Sequence, residues 1–223
     1  MNFIFGDAGF AKEVDWLTEE IYRATEIDYR PNYFVAEDGN SNIGKIINKK
    51  EIISESIFFE KYSSRKSNCF IAVGSPIIKY KIVKKIKALA VNMSYPNLIH
   101  PDVTFDKREN KLILGEGNII CSKNVLTTDI KIGDFVHINL DCTIGHDTII
   151  GDYTTISPGV HVSGNVKIED AIFIGTGAVI LEKVKICSNA IIGAGATVIQ
   201  NILLPGTYVG TPAKKMQNNR NNG

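Results

Sequence analysis

The feature that most constrains the fold is an aliphatic residue at every sixth position in the second half of the chain. From Leu114 to Leu204, sixteen consecutive positions spaced six apart hold Ile, Val or Leu. An amphipathic helix repeats about every 3.6 residues and a half-buried strand about every 2, so neither explains this spacing. A six-residue period is typical of a parallel β-helix, in which three hexapeptides complete one turn around a triangular core. Residues 18 apart are therefore predicted to stack in columns.

A second column supports the same fold. Four residues after most ladder positions stands another small or apolar residue: Val136, Cys142, Val160, Val166, Ile172, Ala178, Val184, Ala190, Ala196 and Ile202. We expect both columns to point into the prism. Burial of each ladder side chain stabilises by roughly 1.5–3 kcal/mol.

Composition and charge favour a cytoplasmic globular chain. The 223 residues carry a net charge of +1, which argues against nucleic acid as a partner. No stretch approaches the roughly 18 apolar residues that span a membrane, and the N-terminus lacks the basic and apolar regions of a signal peptide. The four cysteines have no metal-binding spacing and are expected to be reduced thiols: Cys69, Cys121, Cys142 and Cys187.

Residues 1–100 have a different pattern, in which short apolar strands alternate with helices. We expect strands at 3–5, 33–36, 69–73 and 98–99. The predicted helices carry apolar stripes at Phe10, Val14, Leu17 and Ile21, and at Ile78, Ile82, Ile86 and Leu89. This alternation predicts a Rossmann-like α/β domain with a parallel sheet over 1–100. The β-helix is expected over 101–216, with a loop at 106–110, and a disordered polar tail over 217–223.

The turn after the first strand is a candidate phosphate site. Gly6, Asp7, Ala8, Gly9 and Phe10 place backbone N–H groups beside a helix N-terminus. Only two fingerprint glycines are present, so a tight turn without a ligand stays open as the alternative. Glu37 and Asp38 follow the second strand, where such folds contact a ribose, although solvated loop carboxylates are the other interpretation.

A run of lysines on the second helix is interpreted as its solvated face, with attraction of phosphate as the alternative. The run comprises Lys79, Lys81, Lys84, Lys85 and Lys87.

His146 is the histidine best placed for chemistry. It lies two residues after the ladder residue Ile144, on a corner of the coil, and Asp147 follows it. His137 and His161 open their hexapeptides and are expected to face outward. The separations of 9, 15 and 24 residues among the three include no multiple of 18, which disfavours a zinc site shared between coils, so no metal is expected. A surface histidine without a role is the alternative for each.

The motifs taken together resemble one family. They are the Gly-x-x-Gly-x-Ala turn, Ile-Gly-Asp-Phe-Val-His-Ile-Asn (132–139), Ile-Gly-His-Asp (144–147), Ile-Gly-Asp-Tyr-Thr-Thr-Ile-Ser-Pro-Gly (150–159), Ser-Gly-Asn-Val (163–166) and Val-Gly-Thr-Pro-Ala-Lys (209–214). They are similar to those of bacterial sugar acetyltransferases related to the sialic acid O-acetyltransferases, which include N-acetyltransferases for nucleotide-linked 4-amino-4,6-dideoxy sugars. The resemblance implies a left-handed prism, a homotrimer with active sites between subunits, and acetyl-CoA in the groove between neighbouring prisms.

The resemblance also implies roles for individual residues. His146 corresponds to the catalytic base and Asp147 to the neighbour that raises its basicity. Acetyl-CoA is expected at Thr155, Gly164, Thr176 and Ala194, with the Gly164 N–H donating to the thioester carbonyl. The nucleotide sugar is expected at Gly6, Asp7, Ala8, Gly9, Phe10, Glu37 and Asp38. Two positions depart from some relatives, which have histidine in place of Thr155 or of Phe10.

These residues suit N-acetylation by direct transfer in a ternary complex. An amino sugar is mostly ammonium at neutral pH and must lose a proton before it attacks a thioester, and a histidine can take that proton. Two alternatives stay open, namely O-acetylation of sialic acid or another sugar hydroxyl, and a non-catalytic scaffold. The identity of the nucleotide, whether UDP, dTDP or GDP, also stays open.

Overall fold

The computed structural model describes residues 1–217, in which an α/β sheet is followed by a prism of short parallel strands. Residues 218–223, most of the tail predicted to be disordered, lie outside the described residues. No helix in the described part of the chain is both long enough and apolar enough to cross a bilayer. All four cysteines are free thiols, as expected.

The N-terminal sheet has six strands in the order β3-β4-β2-β1-β5-β6. Its strands are β1 Asn2–Phe5, β2 Tyr33–Ala36, β3 Ile46–Ile47, β4 Lys50–Ser54, β5 Ser67–Ile71 and β6 Met93–Ser94. Neighbouring strands are parallel, except that β3 and β4 form an antiparallel hairpin at one edge. The predicted parallel core is confirmed, whereas the edge hairpin was not predicted.

Three helices cover the sheet: α1 Gly9–Thr25, α2 Glu55–Tyr62 and α3 Pro76–Leu89. Helix α1 buries Val14, Leu17 and Ile21, as its apolar stripe predicted. The stripe predicted for α3 is confirmed at Ile82 and Ile86, which pack in the core, but is wrong at Ile78 and Leu89, which are exposed. The helix buries Pro76, Lys79, Val83 and Ile86, a face that packs against both the sheet and the prism. Lys79 is therefore not on the solvated face assigned to it.

The prism has three parallel faces, and between residues 119 and 198 paired strands of a face are 18 residues apart. The first face comprises Leu98–Ile99, Ile119–Ile120, His137–Ile138, Thr155–Ile156, Phe173–Ile174, Ala190–Ile192 and Gly206–Val209, with Lys214–Lys215 antiparallel at its end. The second face comprises Thr104–Phe105, Val125–Leu126, Thr143–Ile144, His161–Val162, Val179–Ile180 and Thr197–Val198. The third face comprises Leu112–Leu114, Ile130–Ile132, Ile149–Ile150, Lys167–Ile168 and Lys185–Ile186.

The aliphatic ladder is the core of the prism. Every ladder residue from Ile120 to Val198 is buried in one cluster together with the second column, which confirms the predicted coiling. The prediction that Leu204 is the last buried residue of the ladder is wrong, because its side chain is 63% exposed. Ile202 bridges to Ile186 instead and is buried, so the final coil is two residues shorter than the others.

The two parts meet along the first face. Leu98–Ile99 was expected to end the α/β sheet, but it pairs with Ile119–Ile120 and opens the prism. Leu98 and Ile119 share a hydrophobic cluster with α1, and Phe135 joins the cluster beneath α3. The predicted loop at 106–110 separates two strands of the first coil. The α/β domain therefore covers the N-terminal half of one prism face.

A series of carboxylates runs along the corner between the third and first faces. Oδ1 of Asp134, Asp152 and Asp170 accepts a hydrogen bond from the backbone N–H of the residue 18 positions earlier, at 2.9, 2.8 and 2.9 Å respectively. Each of these three aspartates thus accepts a hydrogen bond from a corner N–H of the preceding coil.

Candidate active site

His146 lies on the corner between the second and third faces, beside Asp147. Its Nδ1 is 2.8 Å from Oδ2 of Asp147, and both side chains are more than half exposed. Asp147 has a φ of 58°, the left-handed conformation that recurs at this corner. Because the hydrogen bond at one ring nitrogen determines the role of the other, Nε2 is the nitrogen available to take a proton.

Gly164 lies next to His146 on the following coil. A Cβ at Gly164 would stand 2.5 Å from Nε2 of His146, so only glycine leaves room for the ring. The N–H of Asn165 donates to the carbonyl of His146 at 2.6 Å and joins the two coils. Within the part of the chain that the structure describes, the Gly164 N–H has no acceptor. The structure thus places an unused amide donor beside Nε2.

Glu182 adds negative charge near this corner. Its pKa is lowered by a hydrogen bond to Lys183 and, to a smaller extent, by the charge of the nearby His146.

A cavity of about 460 Å³ lies at the carboxyl ends of β1 and β2. Gly6, Asp7 and Glu37, which were expected to contact the nucleotide sugar, line it. Gly6 has a φ of 130°, and a Cβ there would stand 2.7 Å from the carbonyl oxygen of Ala72. Ala8 and Gly9 are exposed and do not line this cavity.

Helix α3 supplies four further lining residues, of which Lys81 and Lys85 are charged. Lys85 forms an ion pair with Glu55, and the hydrogen bond between them raises its pKa. Asp38 does not line the cavity. Its carboxylate accepts a hydrogen bond from the N–H of Ser56 at 3.0 Å, which caps the start of α2. Hydrogen bonding from the Ser56 side chain, and after it from this N–H, lowers the pKa of Asp38. For Lys81 and Lys85, the sequence predicted attraction of phosphate only as the alternative to a solvated helix face.

A second cavity, of about 160 Å³, lies where α1 meets the first face, and we call it the seam cavity. It is lined by Phe10, Glu13, Gly74, His137, Asn139, Thr155, Ser157 and Phe173. Phe10 was predicted to contact the nucleotide sugar and Thr155 to contact acetyl-CoA, and the structure brings them together here.

His137 is buried in this seam, contrary to the outward position expected for it. It is 1% exposed because the α/β domain covers its face, and the Phe10 ring centre lies 5.1 Å from the imidazole. Neither ring nitrogen has a hydrogen-bond partner within residues 1–217. Burial, and after it the charge of Lys79, lowers the pKa of His137 well below its usual value.

Thr176 and Ala194 are exposed on the corner between the first and second faces, 18 residues apart. His146 occupies a different corner and lines neither cavity. Within a single chain, His146 and Gly164 therefore lie apart from the other residues that were predicted to contact acetyl-CoA. Among residues 1–217, no group of three or more His, Cys, Asp or Glu is arranged to hold a metal ion.

Comparison with known proteins identifies similar chains. Residues 165–200 match the family described as bacterial transferase hexapeptide (six repeats). The structure is similar to WeeI from Acinetobacter baumannii AYE, with 31% identity, a TM-score of 0.83, and coverage of 97% of this chain and 99% of that one. No curated protein sequence matches the chain.

Two further structures are similar over nearly the whole chain. The acetyltransferase domain of PglB from Neisseria gonorrhoeae FA1090, also solved with acetyl coenzyme A, has 28% identity, a TM-score of 0.82, and coverage of 96% and 98% of the two chains. PerB from Caulobacter crescentus, solved with CoA and GDP-perosamine, has 24% identity, a TM-score of 0.82 and coverage of 96% of each chain. These likenesses confirm the predicted fold class, an α/β domain followed by a left-handed parallel β-helix.

Proposed function

Because the chain belongs to the bacterial sugar acetyltransferases built on hexapeptide repeats, we propose that it transfers the acetyl group of acetyl-CoA to the amino group of a nucleotide-linked 4-amino-4,6-dideoxy sugar. Its 31% identity to WeeI extends over nearly all of both chains. The acetyltransferase domain of PglB was solved with acetyl coenzyme A. The observation that carries the choice of acceptor is the pair of cavities in the α/β domain and at its seam with the prism.

The larger cavity suits a nucleoside diphosphate. Its volume of about 460 Å³ is in the range of small-molecule sites, and it lies at the carboxyl ends of parallel strands, where nucleotides bind in such sheets. Lys81, which forms no ion pair within residues 1–217, supplies positive charge for a diphosphate, whereas Lys85 is paired with Glu55. Glu37 supplies a carboxylate for ribose hydroxyls, and Gly6 allows close approach to the backbone.

The seam cavity suits the meeting of acceptor and donor. Phe10 begins the helix that follows the predicted phosphate turn, and Thr155 lies on the prism face where acetyl-CoA is expected. A sugar held by the α/β domain would reach the acetyl group at this seam.

The reaction then needs one base and an oxyanion site. The neutral amine attacks the thioester carbonyl carbon, and Nε2 of His146 takes the proton that the amine loses. The N–H of Gly164 donates to the tetrahedral oxyanion. The carbon–sulfur bond breaks, and the imidazolium returns the proton to the CoA sulfur. Asp147 holds the ring through Nδ1 and stabilises its charged form.

A second copy of the chain is needed to complete the site, because His146 and Thr155 lie on different sides of one prism. The second face supports packing between copies. Its outward residues include no Lys, Arg, Asp or Glu: Thr104, Val125, Thr143, His161, Val179 and Thr197. The third face instead presents Lys131, Lys167 and Lys185. Interface centres are depleted of charge, so we place the second face between subunits of a homotrimer.

The test is release of free thiol from acetyl-CoA in the presence of UDP-, dTDP- or GDP-linked 4-amino sugars, with free sialic acid in parallel. We expect release with one nucleotide amino sugar, and His146→Ala should lower kcat by roughly 10²–10⁴. His100→Ala is the matched control, since His100 also pairs with an aspartate, Asp102, at 2.6 Å but lines neither cavity. Release with sialic acid alone, or full activity of His146→Ala, would contradict the proposal.

A further inference from the structure

The hydroxyl of Thr155 is held from behind by a buried lysine. Nζ of Lys79 donates to Oγ1 of Thr155 at 3.0 Å and to the carbonyl of Thr154 at 3.2 Å. Thr155 is itself 6% exposed and lines the seam cavity. Since Oγ1 accepts from Nζ of Lys79, its own O–H is directed away from that nitrogen. Within residues 1–217 that O–H has no acceptor.

Packing alone does not explain Lys79. It is completely buried, and no carboxylate among the described residues pairs with it. Burying a lysine without a counter-ion costs free energy that a methionine of similar length would not incur. Burial correspondingly lowers the pKa of Lys79. An apolar residue at this position of α3 would be buried at a lower cost in free energy.

His137 provides an independent indication that the seam cavity receives a polar ligand. It pairs in register with Thr155 on the neighbouring strand and lines the same cavity. Both of its ring nitrogens lack partners although the side chain is 1% exposed. Buried polar groups in proteins nearly always have a hydrogen-bond partner, so a ligand atom is the natural one here.

We propose that Lys79 is a positioning residue that directs the Thr155 hydroxyl to donate a hydrogen bond to the carbonyl oxygen of the acetyl thioester. The inference rests on the proposed function, because it takes acetyl-CoA as the ligand of the seam. The Thr155 hydroxyl then acts as a second donor to the oxyanion, beside the N–H of Gly164 from a neighbouring copy. Lys79 touches neither substrate and acts through Thr155.

The first test compares binding of acetyl-CoA with that of CoA, which lacks the acetyl carbonyl, by titration calorimetry. One hydrogen bond contributes a factor of about five to the preference of the wild type for acetyl-CoA. Lys79→Met should reduce the preference for acetyl-CoA by about that factor, leaving what the Gly164 N–H contributes, and should leave the affinity for CoA unchanged. Lys84→Met, an exposed lysine on the same helix, is the matched control and should keep it. An unaltered preference in Lys79→Met would overturn the inference.

The second test asks whether Lys79 acts through Thr155. Thr155→Val should lower kcat by about 10²-fold, as loss of one oxyanion donor does, whereas Thr155→Ser should retain most activity. Lys79→Met should lower kcat about tenfold or more with little change in KM for the amino sugar. Added to Thr155→Val, it should cause no further loss. Additive losses would show a merely structural lysine and overturn the inference. Lys79→Gln replaces Lys79→Met in both tests if the latter does not fold.

Different results would contradict the proposed acceptor and the proposed role of Lys79. A preference for acetyl-CoA that depends on Lys79, without transfer to any nucleotide amino sugar, would contradict only the proposed acceptor. Full transfer activity in Lys79→Met would contradict only the role of Lys79.

Discussion

Gly164 packs closely against the imidazole of His146, the base that we propose at the exposed corner. In Gly164→Ala the new Cβ would stand 2.5 Å from Nε2 of His146 and push the ring out of place. We expect kcat to decrease by about 10²-fold, because a displacement of about 1 Å at a reacting group has an effect of this size. The melting temperature should change little, since the exposed ring can move aside. Wild-type kcat in this variant would contradict the assignment of Nε2.

Burial of His137 predicts how stability depends on pH. Its pKa is well below the usual value in the folded protein, so below about pH 6.5 the unfolded chain binds more protons than the folded one. The free energy of unfolding should therefore fall as pH decreases from 6.5, by up to about 1.4 kcal/mol per pH unit for this one group. Urea midpoints of wild type and His137→Leu between pH 8 and 5 measure it. Parallel curves below pH 6.5 would exclude His137 as the cause.

The residues of the candidate site differ in how far the sequence could predict them. His146 and Asp147 are adjacent within one hexapeptide, so a local motif shows them. Lys79 and Thr155 are 76 positions apart, and their contact exists only because α3 lies across the first prism face. No periodicity within α3 carries that information. The same packing buries His137, which its own repeat would leave exposed.

Each coil of the prism offers a paired test of the ladder. Ile150 points into the core at 1% exposure, whereas its neighbour Ile149 points outward at 43%. Ile150→Ala should lower the free energy of unfolding by about 2–5 kcal/mol, because it removes apolar burial and leaves a cavity. Ile149→Ala should change it by less than about 1 kcal/mol. Denaturant unfolding of both variants measures the difference, and equal losses would contradict the assigned faces.

Helix α3 and the last coil are the elements whose buried residues the sequence predicted least well. A strict six-residue period leaves little freedom, so the strands from Ile119 to Val198 lie where the ladder placed them. The final coil deviates because Ile202 fills the core two residues early and Leu204 is left outside. On α3 the apolar residues are spread around the helix. Contact with two different surfaces, not local hydrophobicity, therefore selects the buried side.

At the scale of the whole molecule, activity should depend on assembly. Val125 on the second face and Ile149 on the third are similarly exposed, at 41% and 43%. Val125→Lys should dissociate the proposed trimer and abolish transfer, because it buries a charge between prisms. Ile149→Lys should leave both unchanged. Light scattering after size exclusion, with kcat measured on the same samples, separates these outcomes. An active monomer would contradict an active site shared between copies.

Sharing of the site can also be tested by mixing. Co-expressed His146→Ala and Thr155→Val chains would form mixed trimers in which some sites combine an intact His146 with an intact Thr155. We expect kcat per trimer to rise above that of either variant alone. An activity equal to the average of the two variants would place both residues in a site within one chain.

The carboxylates along one corner give the prism a polarity during synthesis. The N–H of Asp134 gains its acceptor only when Asp152 has been synthesised, and the N–H of Asp152 only when Asp170 has been synthesised. In this part of the prism, the hydrogen bonds at the corner of each coil are therefore completed by the coil translated after it. While these coils are being synthesised, the corner amide of the newest coil lacks its carboxylate acceptor. Chains that stop early would keep that amide open, a ready template for joining another unfinished prism.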